Sequence, residues 1–249
     1  MKITFFHWGT QCPVISETID LLNTFKNKIE VEYIDISKEN EVAATQRIFF
    51  PFLTVLNDEI RWFSPLELNI VERFICGEQI VEKPHVIEQG KEVFHGELIE
   101  LNNDTLDLVS DSCTLSNCKL SCQKKREFLT ENGEEFYGIL HLDKGIVVGG
   151  VEYVNSLNVP YQIPKGEDIA FITCVYHSST KYDYKTLPFL ELEKRLAGKF
   201  KEIIAITDEE GTFRNGTLEW FLRNGFNDNG VISIEENYCK LHLVSKKIK

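Results

Sequence analysis

The sequence predicts a mixed α/β (α+β) chain built from two domains. Three observations carry that expectation. Between Lys2 and Gly77, apolar runs and helical periodicity alternate as β-α-β-α-β-β-α, enough for a complete small α/β domain. The stretch GEQIVEKPHVIEQGKEVFHG then carries charges, Pro84 and glycines with no clear period, which marks a boundary. Beyond it the order is β-α-α-β-β-β-α-β-α-β-β, a second and larger domain. Residues 1–80 form the first domain on this reading, 81–92 the linker and 93–249 the second.

KITFFH is a short apolar run suited to a strand buried on both faces. Ile15, Ile19, Leu22 and Phe25 recur at helical spacing after it. VEYIDIS reads as a second strand, and KENEVAATQRIFF as a helix capped by Ser37. FLTVLND and EIRWF make two strands around an Asn-Asp turn. The last helix of this domain has Ser64 as expected cap, Pro65 in its first turn, Glu67 completing a capping box and Gly77 as terminator.

In the second domain GELIELN is a strand, and NDTLDLVSDSC a short helix capped at Asn103 or Asp104. CKLSCQKKREFLTENG is a helix with its lysines on the wet face. EFYGILHLDKGIVVGGVEYV is a hairpin turning at Asp143-Lys144-Gly145. EDIAFITCVYH is a long apolar strand. YKTLPFLELEKRLAGKF is an amphipathic helix with Leu187, Leu190 and Phe189 inward and Glu191 beside Lys194 and Arg195. A strand KEIIAIT, a helix TLEWFLRNGF ending at Gly225, and the strands GVISIEE and YCKLHLVSK close the chain.

A net charge of −12 disfavours nonspecific contact with nucleic acid or anionic membrane surfaces, both polyanions. No stretch approaches the roughly 18 apolar residues of a membrane span. The start MKITFFHWGTQCP reads as a buried strand rather than a signal peptide. Seven cysteines, an odd number, favour reduced thiols over a disulfide framework, and with it a cytoplasmic location.

Cys12 precedes Pro13 at the mouth of a helix. A thiol there meets unpaired N–H groups and the positive end of the helix dipole, which favour its thiolate. Ile15 stands where a resolving cysteine would complete C-x-x-C, so a local dithiol cycle is closed off. TQCP before a helix, YIDISKENEVAATQRIFFPFLTVLNDE and the closing capped helix resemble the thioredoxin/glutaredoxin superfamily over residues 1 to about 80. The resemblance implies a cis peptide bond at Pro51 beside the thiol, and a small thiol as partner of Cys12 through a mixed disulfide.

ELIELNNDTLDLVSDSC, KGIVVGGVEYV, IAFITCVYHSS and LEWFLRNGF resemble the GNAT superfamily of N-acetyltransferases, most closely bacterial members with an attached thioredoxin-like domain. The resemblance implies acetyl-CoA or another acyl-CoA as cofactor and a small-molecule or peptide amine as acceptor. Its pantetheine arm would pair with a splayed strand at Cys174, Val175 and Tyr176. Its pyrophosphate would lie at the helix start formed by Tyr184, Lys185 and Thr186. Glu152, on the strand flanking the acceptor cleft, is the candidate general base, with a solvent-facing glutamate as the alternative.

Two departures qualify this. Both glycine positions of the family's phosphate loop are replaced in TKYDYK, by Asp183 and Lys185, and Asp183 would repel pyrophosphate if turned inward. Phe221 stands where the family places an acidic tyrosine, with Tyr182, Tyr184 or Tyr238 as substitutes. The Gly149-Gly150 pair points to a bend rather than a phosphate contact. Cys113, Cys118 and Cys122 lack paired zinc-knuckle spacing and an adjacent histidine, so no metal site is expected. His177, at the end of the central strand, ranks low as a site residue. Three functions remain open: amine acylation from acyl-CoA, thiol handling at Cys12, and non-catalytic binding or sensing.

Overall fold

The computed structural model describes residues 1–111, 119–132, 135–177, 180–213 and 215–249. Strand β1 (Lys2–His7), helix α1 (Pro13–Asn23), β2 (Glu30–Asp35), α2 (Asn40–Thr45), β3 (Phe52–Leu56), β4 (Ile60–Trp62) and α3 (Leu68–Ile75) form the N-terminal module. Its four-stranded sheet has the order β2-β1-β3-β4, with β1 parallel to β2 and antiparallel to β3. The second module comprises β5 (Glu97–Asn102), α4 (Lys119–Asn132), β6 (Phe136–Asp143), β7 (Ile146–Asn155), β8 (Ile169–His177), α5 (Thr186–Leu196), β9 (Glu202–Asp208), α6 (Leu218–Arg223), β10 (Asn227–Glu235) and β11 (Cys239–Lys247). These strands make one seven-stranded sheet, β10-β11-β9-β8-β7-β6-β5. Strand β8 runs parallel to β9 and antiparallel to β7.

Turn chemistry follows the sequence closely. Asn57 and Asp58 both take positive φ between β3 and β4, as do Lys144 and Gly145 between β6 and β7. Those are the backbone angles that match a two-residue turn to the twist of its hairpin. Helix starts follow it less well. Ser37 binds the Asp35 carboxylate instead of capping α2, which begins at Asn40. The Ser64 capping box does not form. Helix α3 begins at Leu68, while the backbone N–H groups of Phe63 and Ser64 donate to the Glu82 carboxylate. Asn102, rather than Asn103 or Asp104, accepts the N–H bonds that open the next helical turn. No peptide bond among the described residues is cis, so the expected cis bond at Pro51 is not present.

Three apolar clusters hold the chain. Helices α5 and α6 cover one face of the large sheet, where Phe189, Leu192, Trp220 and Phe221 pack on Val151, Val175, Ile203 and Ala205. In α5 the inward residues are Pro188, Phe189, Leu192 and Leu196, while Leu190 is exposed, because the stripe is offset by one residue from the expected one. On the small sheet, Ile3, Phe5, Ile15, Leu22, Val71 and Phe74 bury α1 and α3. The third cluster crosses between modules. Trp8, Phe49, Phe50 and Phe63 pack with Phe128, Tyr161, Phe171, Phe213 and Tyr238. Trp8 meets Phe128 and Tyr161 edge-on at ring distances of 5.1 and 5.3 Å. Phe50 lies 5.1 Å from Phe213, and Phe63 lies 5.1 Å from Tyr238. Arg61 Nε donates to Glu235 Oε2 at 3.1 Å on the rim. The remaining open face of each sheet is therefore buried against the other module, which satisfies the demand that apolar faces pair.

Candidate functional site

The central feature is a splay in the large sheet. Strand β8 pairs with β9 only at Ile169, Ala170 and Phe171. Register between β7 and β8 then slips so that Thr173 is extra, a bulge that turns β8 away from β9. A backbone edge opened in this way must find other partners. Here they come from side chains of the same molecule. Val175 N–H donates to Asn215 Oδ1 at 3.1 Å, and Asn215 Nδ2 reaches Ile172 O and Ile206 O on the two strands. Gln11 Nε2, from the N-terminal module, donates to Thr173 O at 3.1 Å. Asn215 is 1% exposed. Its loop is shaped by buried Asp208, whose carboxylate accepts from Gly211 N and Thr212 N at 2.9 Å.

The start of α5 is also filled from within. Asp183 Oδ1 accepts from Lys185 N and Thr186 N at 2.9 and 3.0 Å, and Asp183 Oδ2 accepts from Thr186 Oγ1 at 2.6 Å and Trp220 Nε1 at 3.3 Å. A carboxylate on the first N–H groups of a helix satisfies the donors that an anion would use. The segment after Glu82 then crosses both loops. Ile87 N donates to Gly211 O, Asp183 N to Glu92 O, and Phe94 N to Asp183 O. A Cβ at Gly90 would lie 2.3 Å from the Tyr182 carbonyl carbon, so only glycine lets this strap approach. Tyr184 O, by contrast, is held by His141. Gly96 N donates to His141 Nε2 at 3.0 Å, which places the ring proton on Nδ1 for the bond to Tyr184 O. Burial lowers the His141 pKa and keeps the ring neutral.

Between the modules lies a cavity bordered by Gln11, Cys12, Pro51, Lys125, Thr173 and Cys174 and walled by Phe50, Phe63, Phe213 and Tyr238. Cys12 is the N-cap of α1, with Pro13 following as the first-turn residue, and it is 6% exposed. Gln11 Oε1 and Thr173 Oγ1 are buried without a hydrogen-bond partner among the described residues. An apolar wall with a few convergent polar atoms is the usual composition of a small-molecule site.

Beside the cavity, Lys125 Nζ pairs with Glu152 Oε2 at 2.8 Å, both side chains almost fully buried, and Lys125 lies over the Tyr176 ring. Burial raises the Glu152 pKa against the opposing pull of Lys125 and a hydrogen bond from Tyr176. Gly150 makes room for that ring, since a Cβ there would lie 2.7 Å from Tyr176 Oη. The alternative of a solvent-facing Glu152 is thereby corrected, as is the wet-face placement of the lysines of α4 for Lys125. Lys185 is 2% exposed, its Nζ has no hydrogen-bond partner among the described residues, and burial brings its pKa down to about 8. The same ammonium interacts electrostatically with Cys174 and Asp183.

The structure thus brings Cys12 and Cys174 to one cavity, places Glu152 in an ion pair beside it, and buries Val175 and Tyr176 on opposite faces of β8. Tyr184, Lys185 and Thr186 do form a helix start, with Asp183 seated on it. Phe221 is a core residue, 0% exposed. His177 is buried at the end of β8. Cys113 and Cys118 lie outside the described residues, as does any arrangement of Cys122 with them; Cys12, Cys76, Cys174 and Cys239 are thiols. Sequence reasoning missed Gln11, Lys125 and Asn215. For Asp183 a signal existed, since Asp three residues before Thr186 fits a helix-start pattern. No comparable signal marks the others, which act through contacts distant in sequence.

No family profile matches the chain. The transcription-repair-coupling factor of Borreliella burgdorferi is 29% identical over 211 residues, covering 78% of this chain and 18% of that protein. The chain therefore spans less than a fifth of that relative's length. Among solved structures, the chain is similar to the aminoglycoside 6'-N-acetyltransferase from Enterococcus faecium at 16% identity and a TM-score of 0.47, over 61% of this chain and 97% of that one. It is also similar to a GNAT-family acetyltransferase from Bacillus cereus at 14% identity and a TM-score of 0.44, over 63% of this chain and 99% of that one.

Proposed function

We propose that the chain is a two-module ligand-binding protein whose site is the cavity between a thioredoxin-like module, residues 1–80, and a GNAT-like module, residues 93–249. The strand order β2-β1-β3-β4 with Cys12 at the start of α1 supports the first assignment. The bulged β8 splaying from parallel β9 supports the second. The observation that carries the functional reading is the hydrogen bond from Val175 N–H to Asn215. That donor sits on the edge a pantetheine arm would use in the fold the chain resembles, and the protein satisfies it internally. Asp183 does the same at the helix start, and the strap covers it. Gln11, Cys12, Thr173 and Cys174 are among the polar residues lining an otherwise apolar space.

The retained splay favours a second reading, acyl transfer from acetyl-CoA or another acyl-CoA to a small-molecule or peptide amine, with Glu152 as base. It requires the strap and Asn215 to leave and Lys125 to release Glu152. Two measurements separate the readings. Millimolar acetyl-CoA or CoA leaves the melting temperature of the full chain unchanged if the groove is self-filled, and a rise of several degrees overturns that and favours acyl transfer. Anilinonaphthalene sulfonate titrated into the native protein gives saturable fluorescence from a single site if the cavity accepts ligands. Fluorescence that never saturates counts against it.

A further inference from the structure

The N-terminal module carries no second cysteine one helical turn from Cys12, because Ile15 occupies that place and is itself fully buried. The cavity supplies another. Cys174 lines the same space as Cys12, and the residues just before each cysteine, Gln11 and Thr173, are tied by the 3.1 Å hydrogen bond that joins the modules. The bulge at Thr173 shifts the alternation of β8, so that Cys174 packs against the inter-module core while Val175 packs beneath α5. Without the extra residue, the alternation set by Phe171 and Ile172 would have placed each of them on the other face.

One further observation points to a ligand in this space. Gln11 Oε1 and Thr173 Oγ1 are buried without a partner among the described residues, 3% and 9% exposed as residues, so each is available to a molecule that brings a hydrogen-bond donor. Lys185 lies outside the cavity lining, but its buried ammonium interacts electrostatically with Cys174. A cation beside a thiol supports its thiolate, the form that attacks a disulfide.

We infer that Cys174 is the resolving thiol for Cys12, so that the two modules together reduce a small disulfide bound in the cavity between them. This rests on the cavity being the ligand site. In the first step the Cys12 thiolate attacks one sulfur of the disulfide RS–SR. The RS–SR bond breaks, a Cys12–SR bond forms, and RS⁻ departs and takes up the proton that Cys12 released. In the second step the Cys174 thiolate attacks Cys12 Sγ, the Cys12–SR bond breaks, and a second RS⁻ leaves with the proton from Cys174. One disulfide is reduced to two thiols, and the cysteine pair is oxidised by the same two electrons. The substrate class is a low-molecular-weight disulfide with an amide or amine N–H for Gln11 and an apolar portion for the phenylalanine wall.

The test uses the full chain with Cys76→Ser, since Cys76 is exposed and reacts on its own. The reduced protein is treated with oxidised glutathione and mapped by peptide mass spectrometry. The expected product is a disulfide joining the Cys12 and Cys174 peptides with no glutathione retained. Adding Cys174→Ser leaves glutathione on Cys12. Adding Cys12→Ser slows modification of Cys174 at least tenfold. Circular dichroism and thermal melts of both variants show that they fold. If Cys12 keeps its glutathione with Cys174 present, the cavity is a site but Cys174 is not its resolving thiol, and the inference falls. If Cys12 stays reduced in every variant, the cavity reading fails as well. The mapping also reads whether the modules allow the two Cα atoms within about 7 Å, the limit for a disulfide.

Discussion

Lys185 illustrates what burial does to a single charge. Its ammonium is held away from water with no hydrogen-bond acceptor among the described residues, and its pKa falls from 10.5 to about 8. In the unfolded chain the same amine titrates near its ordinary value. Below pH 8 both states hold the proton, so folding bears the full cost of a buried charge. Between pH 8 and 10.5 the unfolded state binds the proton and the folded state does not, so stability rises with pH. At about 1.4 kcal/mol per pKa unit the rise is about 3 kcal/mol. Lys185→Met removes both the cost and the rise. Urea denaturation at intervals from pH 7 to 10.5 is expected to show wild type gaining on the variant across that window. A constant difference between the two proteins would mean that the ammonium is solvated. The sequence placed Lys185 at a helix start but not its burial, because burial depends on the strap that arrives from residues 87–94.

At the scale of elements, α5 depends on Asp183 for its first turn. The carboxylate accepts from two backbone N–H groups, a hydroxyl and the Trp220 indole, and so ties α5 to α6 as well. Asp183→Ala is expected to cost about 2–3 kcal/mol, a cap together with a buried indole left without its acceptor. Asp183→Asn keeps an acceptor at the same place and is expected to cost less than half of that. Urea midpoints of the two variants check it, and an alanine variant within about 0.5 kcal/mol of wild type would show that water replaces the carboxylate. Most strands and helices were legible in the sequence because their signals are local. The apolar run of β1, the strand at β3, the Asn57-Asp58 and Asp143-Lys144-Gly145 turns, and Gly225 at the end of α6 all appear as read. Capping was legible only where nothing distant competed. At Ser64 the Glu82 carboxylate claims the backbone N–H groups, and at Ser37 Asp35 claims the hydroxyl, so the helices start later.

The whole molecule differs most from its sequence reading in how its halves relate. A charged, aperiodic stretch suggested two domains on a linker, yet Glu82 and the 87–94 strap are hydrogen-bonded along both modules. The inter-module cluster explains why. Trp8, Phe49 and Phe50 sit in stretches of sequence that read equally well as a private core, and only the fold directs them at Phe128, Tyr161 and Phe213. Because the cavity and the bond from Gln11 to Thr173 lie at that same contact, the candidate site exists only while the modules are joined. Phe50→Ala tests the coupling. Removing a buried aromatic ring from this cluster costs about 3–5 kcal/mol. If the cluster is one cooperative core, hydrogen-exchange protection falls together in peptides from β1–β4 and from β8–β9. Were the modules independent, the loss would stay in β1–β4, since Phe50 belongs to that chain segment and reaches β8 and β9 only through its packing on the second module.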